Sequence, residues 1–333
     1  MEFQNIGFHN VEALERCEKG YLIRRLKKET RERIGGGVPE NCFATGTELR
    51  FTMPDGAVDL YLRTDLAAES ATAHIFFGSF QGGWEYSSKN IGAEETCIHI
   101  EYPVKMQTLR RVAEEQHMPF QPEVVRVVLP YVPVYFVRAE GRTAPPQPAQ
   151  LPAKTYLAYG SSITHGSLGL IQPDSYVFRT AQALGTDYLN LGFAGNALME
   201  EQMAEYIVSR RDWDFATVEM GINVVERLAQ FPLPLIEERV DRFTAVLAKD
   251  PRPIFATSMF GYLDEDPERA GRVRNIVRKY AADRLIFTDG LQLLGNPAYV
   301  SADCTHPDAR GQEQIAVRWS GIMREELHRR GVL

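Results

Sequence analysis

A chain of 333 residues exceeds the roughly 150 residues of an average domain and can form two domains, each burying its own core. With 44% hydrophobic and 24% charged residues it has the composition of a folded globular protein, which excludes a disordered chain. A formal net charge of −7 argues against the basic surface that nucleic acid or anionic lipid selects, so the expected partner is a small molecule or a glycan.

The opening segment MEFQNIGFHNVEALERCEKG has no apolar run of signal-peptide type. No later stretch reaches the ~20 apolar residues needed to span a bilayer, so a cytoplasmic protein without membrane contact is expected. In the first 35 residues two readings stay open, Val11 to Lys19 as the start of a helix and Tyr21 to Leu26 as a strand. The basic residues Arg24, Arg25, Lys27, Lys28, Arg31 and Arg33 are interleaved with Glu29 and Glu32, which favours a solvated face over an anion site. Strands with period-two alternation follow at Glu48 to Met53 and Val58 to Arg63, and Pro54-Asp55-Gly56 between them has hairpin-turn chemistry. Further strands are predicted at Ala73 to Phe77, Thr96 to Tyr102, Val124 to Leu129 and Val132 to Arg138. Many short strands without long helices between them predict an all-β, jelly-roll-like sandwich over residues 1–145. Phe76, Phe77, Phe80, Trp84 and Tyr86 could stack on a sugar, but such a group more often forms sandwich core.

The proline-rich stretch TAPPQPAQLPAK, with residues 146–153 at its centre, predicts an extended connector. Beyond it, in 154–333, apolar strands alternate with amphipathic helices. The strands are Thr155 to Tyr159, Tyr188 to Leu191, Phe215 to Met220, Ile254 to Ser258 and Leu285 to Thr288. The helices include Ser175 to Leu184, with Asp174 as its N-cap, Glu200 to Ser209, Leu235 to Ala248 and Glu268 to Ala281. This alternation predicts an α/β domain built on a parallel sheet.

Ligands of open parallel sheets bind beyond the carboxyl ends of the strands, so the residues following each strand are the candidates for chemistry. After the first strand, Gly160-Ser161-Ser162-Ile163-Thr164 presents a serine at a helix start, where backbone N–H groups face an anion. After the second, Asn190-Leu191-Gly192-Phe193-Ala194-Gly195-Asn196 carries two glycines that would let the backbone approach a substrate. After the third, Asn223 in Gly221-Ile222-Asn223 offers an amide donor that cannot titrate. After the fifth, Asp303-Cys304-Thr305-His306-Pro307 has the spacing for a carboxylate to orient an imidazole, with Pro307 restricting the backbone before it. His165 competes with His306 as a base but fits a pocket wall better, and Cys304 fits packing better than nucleophilic attack. Glu219 and Glu101 lie in strand-like runs and read as paired polar residues.

The ordered set GSSIT, NLGFAGN, GIN and DCTHP resembles the four sequence blocks of SGNH/GDSL hydrolases, over residues 154 to 333. That resemblance implies a three-layer, flavodoxin-like domain and a serine esterase; short-chain acyl esters, acetyl first, of a carbohydrate or other small molecule are the expected substrates, because a sandwich precedes the domain and no long apolar lid segment suggests a lipid tail. It further implies Ser162 as nucleophile, His306 as base and Asp303 as its orienting partner. The oxyanion hole would be the backbone N–H groups of Ser162 and Gly195 with the Asn223 side chain; no cofactor or metal is expected. An acyltransferase would use the same residues, and a glycan-binding protein with an inactive hydrolase domain is the remaining alternative. Metal-assisted hydrolysis through His165, His306 and Asp303 is a further one. The position before the nucleophile, an aspartate in the family pattern, is Ser161 here. A sandwich ahead of such a domain resembles bacterial esterases and acyltransferases that carry a carbohydrate-binding-module-like domain. The cysteines Cys17, Cys42, Cys97 and Cys304 lack zinc or disulfide spacing and read as free thiols.

Overall fold

A computed structural model describes residues 1–34, 43–65, 71–263 and 266–333. Cys42 lies outside the described residues; Cys17, Cys97 and Cys304 are unbridged and exposed. Among the described residues no helix is long and apolar enough to cross a membrane.

The N-terminal half is a sandwich of two antiparallel sheets. Among the described residues, one sheet has seven strands and centres on Ile6–His9, Glu48–Phe51, Val125–Val128 and Thr72–Phe77. The other has five, in the order Thr96–Glu101, Ala57–Thr64, Val134–Glu140, Gly20–Arg24 and Ala13–Cys17. Their inner faces pack Phe8, Leu49, Phe51, Leu60, Leu62, Ile75 and Phe136 into one core.

One expectation changes here, and two open readings are resolved. The chain crosses from sheet to sheet, so Glu48–Phe51 and Ala57–Thr64 belong to different sheets and form no hairpin. Turn residues dictate that the chain reverses; which sheet receives the next strand depends on which face that strand must bury. The undecided N-terminal segment is a hairpin, with Cys17 opposite Gly20 across a two-residue turn. Of the aromatic group, Phe76, Phe77 and Tyr86 are buried, whereas Trp84 is fully exposed.

The connector contains one 3-10 turn, Pro148–Gln150, and is fastened to the sandwich, with Ala144 bridging Thr52 and the Gln150 carbonyl accepting from the Gln121 amide at 3.1 Å. The parallel sheet follows. Numbered by position in the chain, its strands are Thr155–Gly160, Asp187–Gly192, Phe215–Glu219, Ile254–Thr257 and Ile286–Thr288, and they lie side by side in the order second, first, third, fourth, fifth. This is the flavodoxin-like order, in which the direction of winding reverses between the first and third strands. Helices Glu201–Ser209, Leu233–Leu247 and Pro267–Arg284 cover one face, and Tyr176–Leu184 with Ala309–Arg329 cover the other. The cap of Tyr176–Leu184 is Ser175, whose hydroxyl accepts from the Phe178 amide, and not the predicted Asp174.

The second strand lies at the sheet edge, where unpaired carbonyls need partners. Side chains of the sandwich supply them. His9 Nε2 meets the Tyr188 carbonyl at 2.5 Å, Asn10 donates to Asn190 at 2.9 Å, and Arg25 donates to Asn190 at 3.1 Å and Gly192 at 2.9 Å. Arg25 is thus wholly buried rather than part of a solvated face. Its basic neighbours Arg24 and Arg31 both pair with Glu15. At the start of the same strand, Arg50 holds Asp187 through two hydrogen bonds of 2.6 and 2.7 Å and also reaches Glu48, which pairs in turn with Arg126. The Arg50 guanidinium outweighs the burial of Asp187 and holds its carboxyl below the usual range.

Candidate active site

Ser162 opens the short helix Ser162–His165 at the carboxyl end of the first strand, which puts it at the switch point of the sheet. Ser161 caps this helix, its hydroxyl accepting from the Ile163 amide at 3.2 Å. Ser162 Oγ lies 2.6 Å from His306 Nε2, and His306 Nδ1 lies 2.5 Å from Asp303 Oδ2. An ionised Asp303 can only accept, so Nδ1 carries the proton and Nε2 is left to accept from the serine hydroxyl. Burial raises the Asp303 carboxyl, but Ser301, the His306 and Thr305 amides and the His306 ring outweigh it and hold the group well below the usual carboxylate range.

The 301–306 loop closes on itself, with the Ser301 amide donating to the His306 carbonyl at 2.8 Å. Within it Cys304 takes a left-handed conformation at φ 64° and points outward. The packing role expected for Cys304 therefore does not hold, because the tight turn between Asp303 and Thr305 turns its side chain to solvent.

Gly195 and Asn223 line the same open cleft of about 420 Å³ as Ser162 and His306. Gly195 has φ 70°, a conformation that favours glycine. Asn223 Oδ1 accepts from the Ala197 amide at 3.0 Å, which orients its Nδ2 donor and ties the third block to the residue that follows the second. Among the described residues, neither the Ser162 nor the Gly195 amide has a protein acceptor, so both remain available to a ligand. Gly192 serves another purpose than the expected approach to substrate. A side chain there would meet the His165 amide nitrogen at 2.2 Å, so its absence lets the helix Ser162–His165 lie against the second strand.

His165 is not brought to Ser162. It is buried, its Nε2 engages the Thr45 hydroxyl, and its ring lies 5.6 Å from both Phe43 and Tyr131. Burial, with help from Arg25, pushes its pKa well below that of an ordinary histidine. Glu101 is at the exposed end of its strand, 3.1 Å from His99.

Two supporting residues escaped the sequence reading, and a third, Glu219, was read only as a paired polar residue. Asn190 donates to the Thr164 carbonyl at 2.8 Å, and Gln312, on the last helix, both accepts from the Tyr176 amide at 2.9 Å and donates to the Ile163 carbonyl at 3.2 Å. Glu219 is buried directly under the serine turn. Asn190 stood within a quoted block and could have been singled out; nothing local distinguished Gln312.

The fold is that of the SGNH/GDSL hydrolases, with a β-sandwich added ahead of the α/β domain. The chain is similar to the salicylyl-acyltransferase SsfX3 from a tetracycline biosynthetic pathway, at TM-score 0.71 and 16% identity over 99% of this chain and 96% of that one. It is also similar to a putative GDSL-like lipase from Bacteroides ovatus, at TM-score 0.62 and 16% identity over 97% and 98% of the two chains. A third likeness is to the acetyl xylan esterase Est2A from Butyrivibrio proteoclasticus, at TM-score 0.58 and 13% identity over 98% and 97%. No protein-family profile matches the chain, and no curated protein matches it in sequence.

Proposed function

We propose that the chain is a serine esterase that cleaves short acyl esters, acetyl esters first, of a carbohydrate or other small molecule. The observation that carries this reading is the hydrogen-bonded relay from Ser162 through His306 to Asp303, open to a cleft at the switch point. In this mechanism His306 Nε2 takes the Ser162 proton as Oγ attacks the ester carbonyl, and then gives it to the leaving alcohol. Asp303 holds the tautomer and stabilises the imidazolium. The Ser162 and Gly195 amides and Asn223 Nδ2 receive the oxyanion, each donor worth ~3 kcal/mol in comparable sites. Water, activated by the same imidazole, releases the acyl group.

Acyl transfer is the second reading, in which an alcohol intercepts the acyl-serine instead of water. It is favoured by the likeness to SsfX3, which extends over both the sandwich and the α/β domain. The test is hydrolysis of p-nitrophenyl esters of increasing acyl length by the wild type and by a folded Ser162→Ala variant. Loss of turnover in the variant is expected, and undiminished turnover would sink the assignment. Product analysis with excess acceptor alcohol separates the two readings, a new ester marking transfer.

A further inference from the structure

We propose that Glu219 is a positioning residue for the nucleophile, a single buried oxygen that pins the turn carrying Ser162; the inference rests on the serine mechanism above. Glu219 ends the third strand of the parallel sheet, beside the first strand that delivers the serine, and is 1% exposed. Its Oε2 accepts the Ser161 N–H at 2.7 Å and the Thr164 hydroxyl at 3.2 Å, so it grips the chain on both sides of Ser162. Thr164 is itself braced by the Tyr176 hydroxyl at 2.8 Å.

The geometry has a directional consequence. With the Ser161 N–H committed inward to Glu219, the next amide along, that of Ser162, is the one left without a protein acceptor at the cleft. Glu219 thereby orients an oxyanion donor and the nucleophile together without touching substrate. The family pattern places an aspartate immediately before the nucleophile; here that position is Ser161, and the carboxylate at this turn comes from the neighbouring strand. Burial pushes the Glu219 carboxyl up, partly offset by the hydrogen bonds from Ser161 and Thr164. Among the described residues its second oxygen, Oε1, is buried without a hydrogen-bond partner, whereas Oε2 receives both the Ser161 and the Thr164 bond.

Two variants separate the acceptor oxygen from the bulk of the side chain. Glu219→Gln keeps one carbonyl oxygen for the same two donors, whereas Glu219→Leu keeps the bulk and removes the acceptor. Since misplacing a reacting group by about 1 Å can cost roughly 100-fold, the Leu variant is expected to lose at least about tenfold in kcat on p-nitrophenyl acetate with KM within about threefold. The Gln variant is expected to stay within about threefold of wild type in both constants. A folded Leu variant with wild-type kcat, or a Gln variant that falls as far as Leu, overturns the inference. Should Leu fail to fold, Thr164→Val removes one of the two hydrogen bonds to the same oxygen; a fall of about twofold or more in kcat supports the inference, and an unchanged kcat overturns it. Labelling the wild type with a fluorophosphonate and locating the adduct by mass spectrometry keeps the two readings apart. Label on Ser162 secures the nucleophile whatever Glu219 does, and its absence there removes the serine mechanism itself.

Discussion

Replacing Arg25 by methionine tests whether the sandwich is an integral support of the α/β domain rather than an appendage. The side chain is wholly buried, donates to the Phe43, Asn190 and Gly192 carbonyls at 3.0, 3.1 and 2.9 Å, and lies 4.7 Å from the centre of the Phe193 ring. Each charged hydrogen bond contributes roughly 1.5–3 kcal/mol net, and each carbonyl left dry costs about 1–3 kcal/mol. Removing a buried cation recovers part of that sum, so the net loss for Arg25→Met is expected at about 3–5 kcal/mol. Against a total stability of roughly 5–15 kcal/mol that is a large fraction. Urea unfolding followed by tryptophan fluorescence reads it, because Trp213 and Trp319 are buried in the α/β domain. Activity is expected to fall as well, since the strand that Arg25 holds runs into the loop bearing Gly195. A loss under about 1 kcal/mol with unchanged kcat would refute the view that sandwich side chains complete the edge of the parallel sheet.

Two further outcomes are expected. Asn223→Ala should lower kcat on p-nitrophenyl acetate by about 100- to 1000-fold, as removal of an oxyanion donor does elsewhere. Asn223→Asp, which keeps the acceptor for Ala197 and loses the donor, should fall as far; an active Asp variant would mean that Asn223 serves only the loop. Stability should decline as pH drops below about 6.5, the ordinary histidine value. Burial, aided by the neighbouring arginines, lowers the pKa of both His9 and His165. The unfolded chain therefore binds protons that the folded one refuses, and stability is lost from the unfolded pKa downward towards the folded one. Melting temperatures measured from pH 8 to pH 5 check this, and a flat profile counts against neutral, buried rings.

Much of the site was legible because its chemistry is written in short segments. Asp303 and His306 are three residues apart, a spacing that lets one loop hold both, and the relay between them follows from that local geometry. Ser162 and Asn223 follow strands whose apolar runs are plain in the sequence, and a parallel sheet delivers all such strand ends to one rim. The alternation of strands and helices likewise announced the α/β domain, since periodicities of two and 3.6 residues are local properties.

The partners that hold this site are distant in the chain. Nothing near Glu219 says that its carboxylate will lie under Ser161, 58 residues earlier, and nothing near Gln312 ties it to Ile163. Arg25 looked like one more surface cation because charge patterning describes a segment by itself, whereas its burial depends on a strand edge 165 residues away that lacks a neighbour. The sheet assignment of Glu48–Phe51 and Ala57–Thr64 has the same origin, since turn residues encode a reversal and not a destination. The sequence by itself determined the candidate reacting groups and the strands that deliver them, through local spacing and periodicity. Tertiary structure alone decided which buried side chains orient those groups, because a buried donor or acceptor is satisfied by whatever the folded chain brings within about 3 Å, regardless of its distance along the chain.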